Sequence, residues 1–296
     1  QELIGLCKQF GPHEVTKYMT ALRNYAAEVL TERLKTLPEK TFKATERLDD
    51  GSRLQVKITH RKSKLKFDFE GTSQVHKGNL NATMAIVHSV ILYTLRVLVD
   101  KPIPMNEGLM DALEIKLPTC MLNPDFEGPA LPAVVGGNTE VSQRLTDTLI
   151  KAFGLAACSQ GTMNNLLFGN ERFGYYETIC GGTGAGPGFH GTDAVHHHMT
   201  NTRITDPEIM EHRYPVRVER FEIRKRSGGR GKWRGGCGVI RELSFTDRVH
   251  LTLLTQHRRE KPYGLNGGEA GLPGEQYVVE KNGGKRLLKG QDGCEL

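Results

Sequence analysis

Residues 14–37 read EVTKYMTALRNYAAEVLTERLKTL and contain the clearest helical pattern in the chain. Apolar side chains recur at steps of three and four from Val15 to Leu37, which places them on one face of a helix. Pro12 precedes this pattern and Pro38 ends it, as is typical of helix boundaries. The segment therefore predicts a long amphipathic helix.

Strands are expected after this helix, because the period of the apolar residues changes from about four to two. Alternation is clear at 54–58 and at 65–69, and the turn-forming residues 49–51 precede the first of these sets. Residues 82–99 are apolar on nearly every side and predict a buried central helix. Short β-like runs, separated by glycine turns, then occur at 216–224, 239–245, 249–255 and 276–280.

These patterns predict a mixed α+β protein (mixed α/β) with a helical N-terminal part, a mixed central region and a β-rich C-terminal region. We expect residues 1–210 to form the mixed region and residues 211–296 the β-rich region packed on it. The chain of 296 residues is 38% hydrophobic and 25% charged, which is ordinary for a globular protein that buries a core. Its net charge of +6 is spread along the chain and indicates no nucleic-acid partner.

The six cysteines form no CxxC pair and fit a reducing, cytoplasmic setting better than a disulfide framework. The strongly apolar stretch 84–99 is too short and too polar to span a bilayer, and no secretory signal opens the chain. We therefore expect a cytoplasmic protein without a membrane partner.

Two clusters in the middle of the chain carry polar groups suited to a substrate. Residues 136–143, GGNTEVSQ, follow the apolar run 133–135 at a predicted strand-to-helix junction, where free N–H groups suit an anionic ligand group. Plain helix capping by Asn138 or Thr139 explains the same residues. Residues 159–165, SQGTMNN, offer amide and hydroxyl groups that either fix a substrate's polar edge or build ordinary turns.

The stretch beyond residue 155 is dense in Gly, Asn, Thr and His and has little periodicity, yet its large apolar residues favour a functional loop over a linker. His190, Asp193 and the run 196–198 could move protons or bind a metal, although their spacing matches no recognised metal motif. A solvated, hydrogen-bonded loop is the other interpretation.

Three other patterns suggest chemistry less strongly. The glycines at 182–186 are followed by Pro187 where a dinucleotide loop would begin its helix. Residues 227–236 look like an RNA-binding RGG segment, but a structured turn between strands is favoured. Cys158 and Cys180 have no His beside them in sequence, so buried structural thiols are favoured over nucleophiles.

Five ordered motifs together resemble the hydantoinase B/5-oxoprolinase family over essentially the whole chain. They are VVGGNTEVSQR at 134–144, ACSQGTMNN at 157–165, GYYET at 174–178 with the loop and the stretch 195–206 after it, HRYPV at 212–216 and RGG at 234–236. The segment 200–208, TNTRITDPE, looks closer to the fused 5-oxoprolinases than to acetone-carboxylase-like relatives.

The resemblance implies a two-part, ATP-dependent enzyme that opens a small cyclic amide. A hydantoinase A-type ATPase half, fused or separate, would activate the ring carbonyl with ATP and Mg, and this half would complete hydrolysis, as in the conversion of 5-oxoproline to glutamate. A homo-oligomer is also expected. Alternatives are an N-methylhydantoinase B subunit acting on hydantoins, a non-catalytic scaffold for the ATPase half, and an RNA-binding module.

We assign roles within this implied chemistry from residue type and position. Proton transfer is predicted for Glu177, His190 or His196. Polar contacts to the substrate are predicted for the following side chains: Asn138, Glu140, Gln160, Asn164 and Asn165. Members of the family usually begin with a metal-binding segment that nothing here matches, so the ligands of a possible divalent metal are expected upstream. The chain is accordingly expected to be part of a longer polypeptide.

Overall fold

The computed structural model describes residues 1–128, 131–280 and 282–296. Within them the α-helices are α1 (Glu2–Phe10), α2 (Pro12–Lys35), α3 (Met84–Val99), α4 (Ser142–Phe153) and α5 (Pro207–Arg213). The strands are β1 (Thr41–Arg47), β2 (Arg53–Arg61), β3 (Lys64–Asp68), β4 (Leu113–Lys116), β5 (Asn165–Asn170), β6 (Phe173–Thr178), β7 (Val216–Ile223), β8 (Val239–Phe245), β9 (His250–Leu254), β10 (Tyr277–Val279), β11 (Lys285–Leu287) and β12 (Gln291–Glu295). The predicted mixed α+β class is confirmed.

The N-terminal sheet has the order β1-β2-β3-β4 and carries helices on one face. β1, β2 and β3 pair antiparallel, and β4 joins β3 in parallel. Alternate residues of β2 are buried, including Leu54, Val56 and Ile58, so the predicted alternation is confirmed. This face and the helices form the larger apolar core.

Helix α2 confirms the predicted helix, but it buries only its C-terminal part, at Ala26, Leu30 and Leu34. Tyr18 and Leu22, at the other end of the apolar stripe, are exposed. Helix α3 confirms the buried helix predicted at 82–99. No described helix is both long enough and apolar enough to cross a bilayer.

Helix α4 lies in the interior, and even its polar residues are buried. Leu145 and Leu149 join the apolar core, while the guanidinium of Arg144 donates to the carbonyl of Arg47 in β1. Lys151 forms an ion pair with Glu46, which points inward from the same strand. Because buried polar groups are costly without partners, these contacts bind α4 to the sheet.

The second sheet is antiparallel in the order β12-β9-β5-β6 and faces the β7–β8 hairpin across an aromatic cluster. Phe168 lies at the centre of this cluster, with Tyr175 at 4.8 Å and Phe245 at 5.0 Å between ring centroids. The sheet takes strands from both sides of residue 210. The division of the chain at that residue stays a prediction.

Three local expectations were wrong. Residues 133–135 are not a strand: they lie along the backbone of residues 79–82, where Gly136 N donates to the Asn79 carbonyl at 2.8 Å. The region after residue 155 contains the β5–β6 hairpin, which apolar alternation does not reveal because its buried positions include the polar Asn165, Glu177 and Thr178. Helix α5 was missed, although Asp206 caps it and Pro207 begins it, a recognisable helix start.

Candidate active site

A cavity of about 1260 Å³ opens between the second sheet and the C-terminal loops. Its wall is built mainly from residues 157–164, 179–187, 227–236 and 262–276, together with β8. Leu166 and Leu253 contribute an apolar patch from the sheet. Two segments that the sequence marked as rich in Gly, Asn and Thr therefore meet around one space.

The glycines of this wall allow backbone to pack directly against backbone. A Cβ on Gly182 would overlap the carbonyl of Gly236, and a Cβ on Gly184 would overlap the carbonyl of Ala157. Glycine N–H groups are used within the protein, since Gly181 N donates to Val195 O at 3.3 Å, Gly186 N to Phe189 O at 3.2 Å and Gly236 N to Thr183 O at 2.9 Å. These glycines thus shape the cavity and do not form a phosphate loop.

Gln160 and Asn164 are the two predicted substrate-binding residues in the cavity wall. The Gln160 amide donates to Thr162 O at 2.6 Å, and its buried Oε1 has no hydrogen-bond partner among the described residues. Asn164 adopts a left-handed backbone conformation at φ 49°, and its Oδ1 accepts from Arg258 Nη2 at 2.9 Å. The wall therefore contains an unsatisfied acceptor, buried beside Gly181, and a residue with a left-handed backbone conformation.

The turn between β1 and β2 holds the segment that carries Arg258. The Asp49 carboxylate accepts from the backbone N–H groups of residues 258, 259 and 260 at 2.7, 3.1 and 2.9 Å. Its own N–H donates to Gln256 Oε1 at 2.8 Å. Sequence reasoning marked residue 49 only as part of a turn and did not select Arg258. The polar run directly after β9 is the signal that could have found it.

Cys158 and His257 form a buried pair in the same wall, with 3.5 Å between Sγ and Nε2. His257 Nδ1 lies 2.5 Å from the Glu260 carbonyl, which assigns the ring proton to Nδ1 and leaves Nε2 to accept from the thiol. Burial raises the pKa of Cys158 well above its usual value and lowers the pKa of His257 to about 3. The resting pair is therefore neutral, and the expected burial of Cys158 is confirmed.

A second buried polar group lies behind this wall and is centred on Asp147 of α4. Its carboxylate accepts from the backbone N–H of Ser159 at 3.0 Å and from the hydroxyl at 2.8 Å, and His198 Nε2 lies 3.6 Å away. The Tyr93 hydroxyl lies 3.0 Å from His198 Nδ1. Burial alone would raise the pKa of Asp147, but His198 and Ser159 outweigh it and lower the pKa to about 2. Asp147 thus anchors both polar segments as an ionised group.

Glu177 is fixed in a buried ion pair. Arg241 donates to its two oxygens at 2.7 and 3.1 Å, and the Tyr175 hydroxyl donates at 2.8 Å. Arg241 lines the cavity, whereas Glu177 lies behind it. This arrangement places Glu177 to orient the arginine.

Glu140 and Asn165 form another buried group, on the opposite face of the second sheet. Asn165 Nδ2 donates to Glu140 Oε1 at 2.6 Å, and the Tyr176 hydroxyl donates to Asn165 Oδ1 at 2.6 Å. Glu140 is fully buried, and this burial raises its pKa to about 8 although the Thr162 side chain and Arg258 oppose the shift. The carboxyl group is therefore largely protonated at pH 7.

The remaining three candidates lie apart from one another. His190 is exposed and accepts from Arg234 N at 2.9 Å, and Asn138 is exposed within the π-helical turn Gly137–Val141 that precedes α4. His196 Nδ1 lies 3.5 Å from the Thr178 hydroxyl, and burial lowers its pKa. Of the eight candidates, all within described residues, the cavity brings together Gln160 and Asn164. The roles assigned to all eight stay predictions.

The histidine run does not converge on a common point. His196 lies beside Thr178, His197 Nδ1 lies 3.2 Å from Val195 O, and His198 lies beside Tyr93, while the His197 and His198 ring centroids are 4.7 Å apart. Across residues 1–128, 131–280 and 282–296, no group of three or more His, Cys, Asp or Glu side chains is arranged to hold a metal ion. The described residues therefore do not fit a metal ion.

The family model for hydantoinase B/oxoprolinase matches residues 1–294. The chain belongs to this family. It is 42% identical to 5-oxoprolinase 1 of Arabidopsis thaliana over 304 residues, covering 97% of this chain and 24% of the relative. It is 45% identical to a 5-oxoprolinase of Dictyostelium discoideum, covering 96% of this chain and 23% of the relative. The chain thus spans about a quarter of the length of these curated relatives.

The fold is shared with a solved structure, the ATP-dependent caprolactamase from Pseudomonas jessenii. The TM-score is 0.84 at 21% identity, and the match covers 98% of this chain and 54% of that one. The hydantoinase B/5-oxoprolinase resemblance seen in the five motifs is confirmed by the family model and by the 5-oxoprolinase relatives.

Proposed function

We propose that this chain is part of an ATP-dependent cyclic amide hydrolase that opens 5-oxoproline to glutamate. Its contribution is to complete the hydrolysis of a ring carbonyl that a hydantoinase A-type ATPase half has activated. The observation that carries the proposal is the large cavity whose wall combines residues 157–164 and 179–187, two of the polar segments of the family motifs. The names of the 5-oxoprolinase relatives support the choice of substrate.

The chemistry requires a pocket that positions reactants more than it requires a strong nucleophile. An amide carbonyl is a poor electrophile, and transfer of phosphate from ATP to its oxygen makes the ring carbon reactive. One water adds to that carbon, the C–N bond breaks as the nitrogen takes a proton, and a second water releases phosphate. The protein must hold the ring against water and stabilise charge on oxygen.

Within this chemistry, Gln160 and Asn164 are assigned to bind the polar edge of the ring. Gln160 Oε1 is a buried acceptor without a partner among the described residues, and the N–H of a lactam is a donor that would satisfy it. His196 does not line the cavity and is retained as a proton-transfer candidate beside it, since burial lowers its pKa and favours the neutral ring that accepts a proton. Glu177 is assigned to hold Arg241 in the wall.

The proposal is tested with Gln160→Ala in the enzyme assembled with its ATPase half. If this half completes hydrolysis, the glutamate formed per ATP hydrolysed falls, because activation continues while ring opening fails. Gln74→Ala is the matched control, since Gln74 is exposed. If Gln160→Ala changes neither the rate of glutamate formation nor the glutamate formed per ATP hydrolysed, a scaffold role is favoured instead. If the enzyme turns over hydantoins but not 5-oxoproline, the hydantoinase alternative is favoured.

A further inference from the structure

Arg258 lies in the cavity wall and forms no ion pair with any described carboxylate. Its three side-chain hydrogen bonds all go to neutral oxygens: Gln276 Oε1 at 3.0 Å, Gln256 O at 2.7 Å and Asn164 Oδ1 at 2.9 Å. A partly buried guanidinium without a carboxylate partner is unusual, because buried charges are normally paired. The cation is available to a negatively charged ligand.

The hydrogen bonds leave suitable donors free. A guanidinium has five N–H groups in a planar fork, and here Nε, Nη1 and Nη2 each use one of them. One N–H therefore remains on each terminal nitrogen. Each of these N–H groups can donate to an oxygen of a carboxylate.

The acidic groups around Arg258 act on it from beyond ion-pair distance. Asp49 and Glu140 are the acidic groups that influence it, and Arg224 is the basic one. The Asp49 oxygens already accept three backbone N–H groups, and Glu140 is largely protonated at pH 7. Burial lowers the pKa of Arg258 to about 10, so it remains a cation at neutral pH.

We propose that Arg258 binds the carboxylate of a small anionic lactam in this cavity, and that Asp49 positions it by holding residues 258–260. This inference rests on the proposed function and refines it, because it selects carboxylated lactams over neutral ones. Asn164 links Arg258 to Gln160. Its Oδ1 accepts from Arg258, and its Nδ2 lies 3.4 Å from the Ile179 carbonyl, which the Gln160 amide also approaches at 3.4 Å. The carboxylate site thus adjoins the ring site.

The test measures binding without ATP, so that it does not depend on turnover. The dissociation constants of 5-oxoproline and of 2-pyrrolidinone, the same ring without the carboxylate, are measured by calorimetry on the whole chain and on Arg258→Gln. We expect Arg258→Gln to weaken the binding of 5-oxoproline by about 10- to 100-fold, the usual effect of losing hydrogen bonds to a charged group. The affinity for 2-pyrrolidinone should stay unchanged. Arg259→Gln removes the same charge from an exposed neighbour and should change neither.

Equal weakening of both lactams, or of neither, would overturn the assignment in favour of a purely structural arginine. If Arg258→Gln does not fold, Arg258→Lys keeps the charge but loses the fork and should retain part of the selectivity. The wild type must itself prefer 5-oxoproline to 2-pyrrolidinone; equal or undetectable binding refutes the proposal without any variant. Selective binding of 5-oxoproline without glutamate formation by the assembled enzyme would overturn the proposed reaction and leave the carboxylate site standing.

Discussion

Replacing Glu140 by glutamine should make the stability of the protein less dependent on pH between about 5 and 8. Glu140 is fully buried, and burial raises its pKa from 4.5 to about 8. Over this interval the folded protein keeps a proton that the unfolded chain has released. The free energy of unfolding therefore falls as pH rises through the interval, and the loss levels off once the folded carboxyl group also ionises.

The size of the effect follows from the same values. One pH unit corresponds to about 1.36 kcal/mol for a group protonated in one state only. The interval from 4.5 to about 8 then corresponds to a loss on the order of 5 kcal/mol for the wild type at pH 8. The side chain introduced by Glu140→Gln cannot ionise, and its amide oxygen can still accept from Asn165 Nδ2, so the variant should avoid most of this loss.

The measurement is denaturant unfolding followed by circular dichroism at intervals from pH 5 to 8.5. The curves of wild type and Glu140→Gln should lie close together at pH 5 and separate by several kcal/mol at pH 8, with the variant more stable. Glu28→Gln, an exposed change in α2, should parallel the wild type throughout. Parallel curves for Glu140→Gln would refute the reasoning, since they would mean that the carboxyl group is not buried as a neutral acid.

Two further predictions concern the polar interior and the glycine wall. Asp147→Asn should lower the free energy of unfolding at pH 7 by roughly 2 kcal/mol, because the pKa of Asp147 is lowered from 3.8 to about 2 in the folded protein. The difference from wild type should shrink as pH falls through about 2. Acid unfolding followed by circular dichroism measures it. An equal difference at every pH would contradict this. Gly184→Ala should lower the free energy of unfolding by about 1–3 kcal/mol in denaturant unfolding, because its Cβ would overlap the Ala157 carbonyl. Gly174 has open space around it, so Gly174→Ala should leave the stability unchanged or raise it slightly. Equal effects of the two substitutions would refute the packing argument.

The elements that the sequence predicted well are those with one buried face. Strand β2 carries a period of two because one side of it packs on the core, and the C-terminal part of helix α2 carries a period of about four for the same reason. The β5–β6 hairpin was missed because polar side chains, Asn165, Glu177 and Thr178, occupy buried positions, so its apolar residues alone show no period of two. The run 133–135 was misread as a strand because three apolar residues in a row do not show whether the backbone pairs in a sheet or lies beside a loop, as it does here next to residue 79.

The sequence predicted which segments surround the candidate site better than it predicted which individual side chains line it. Residues 159–165 were selected because amides and hydroxyls cluster there, and Gln160 and Asn164 do line the cavity. Glu177 and Asn165 were selected for their chemistry, but strand alternation and pairing turn Glu177 towards Arg241 and Asn165 towards Glu140. No local pattern indicates which face of a two-sided strand will meet the cavity.

By itself, the sequence determined the family, the mixed α+β class, the long N-terminal helix and the segments that surround the candidate site. These follow from local periods and from ordered motifs, which are properties of neighbouring residues. Only the tertiary structure decided that Asp49 holds Arg258, 209 positions away, and that Cys158 meets His257 across 99 positions. The physical reason is that such contacts depend on how separate loops pack against one another, and no residue's immediate neighbours record that packing.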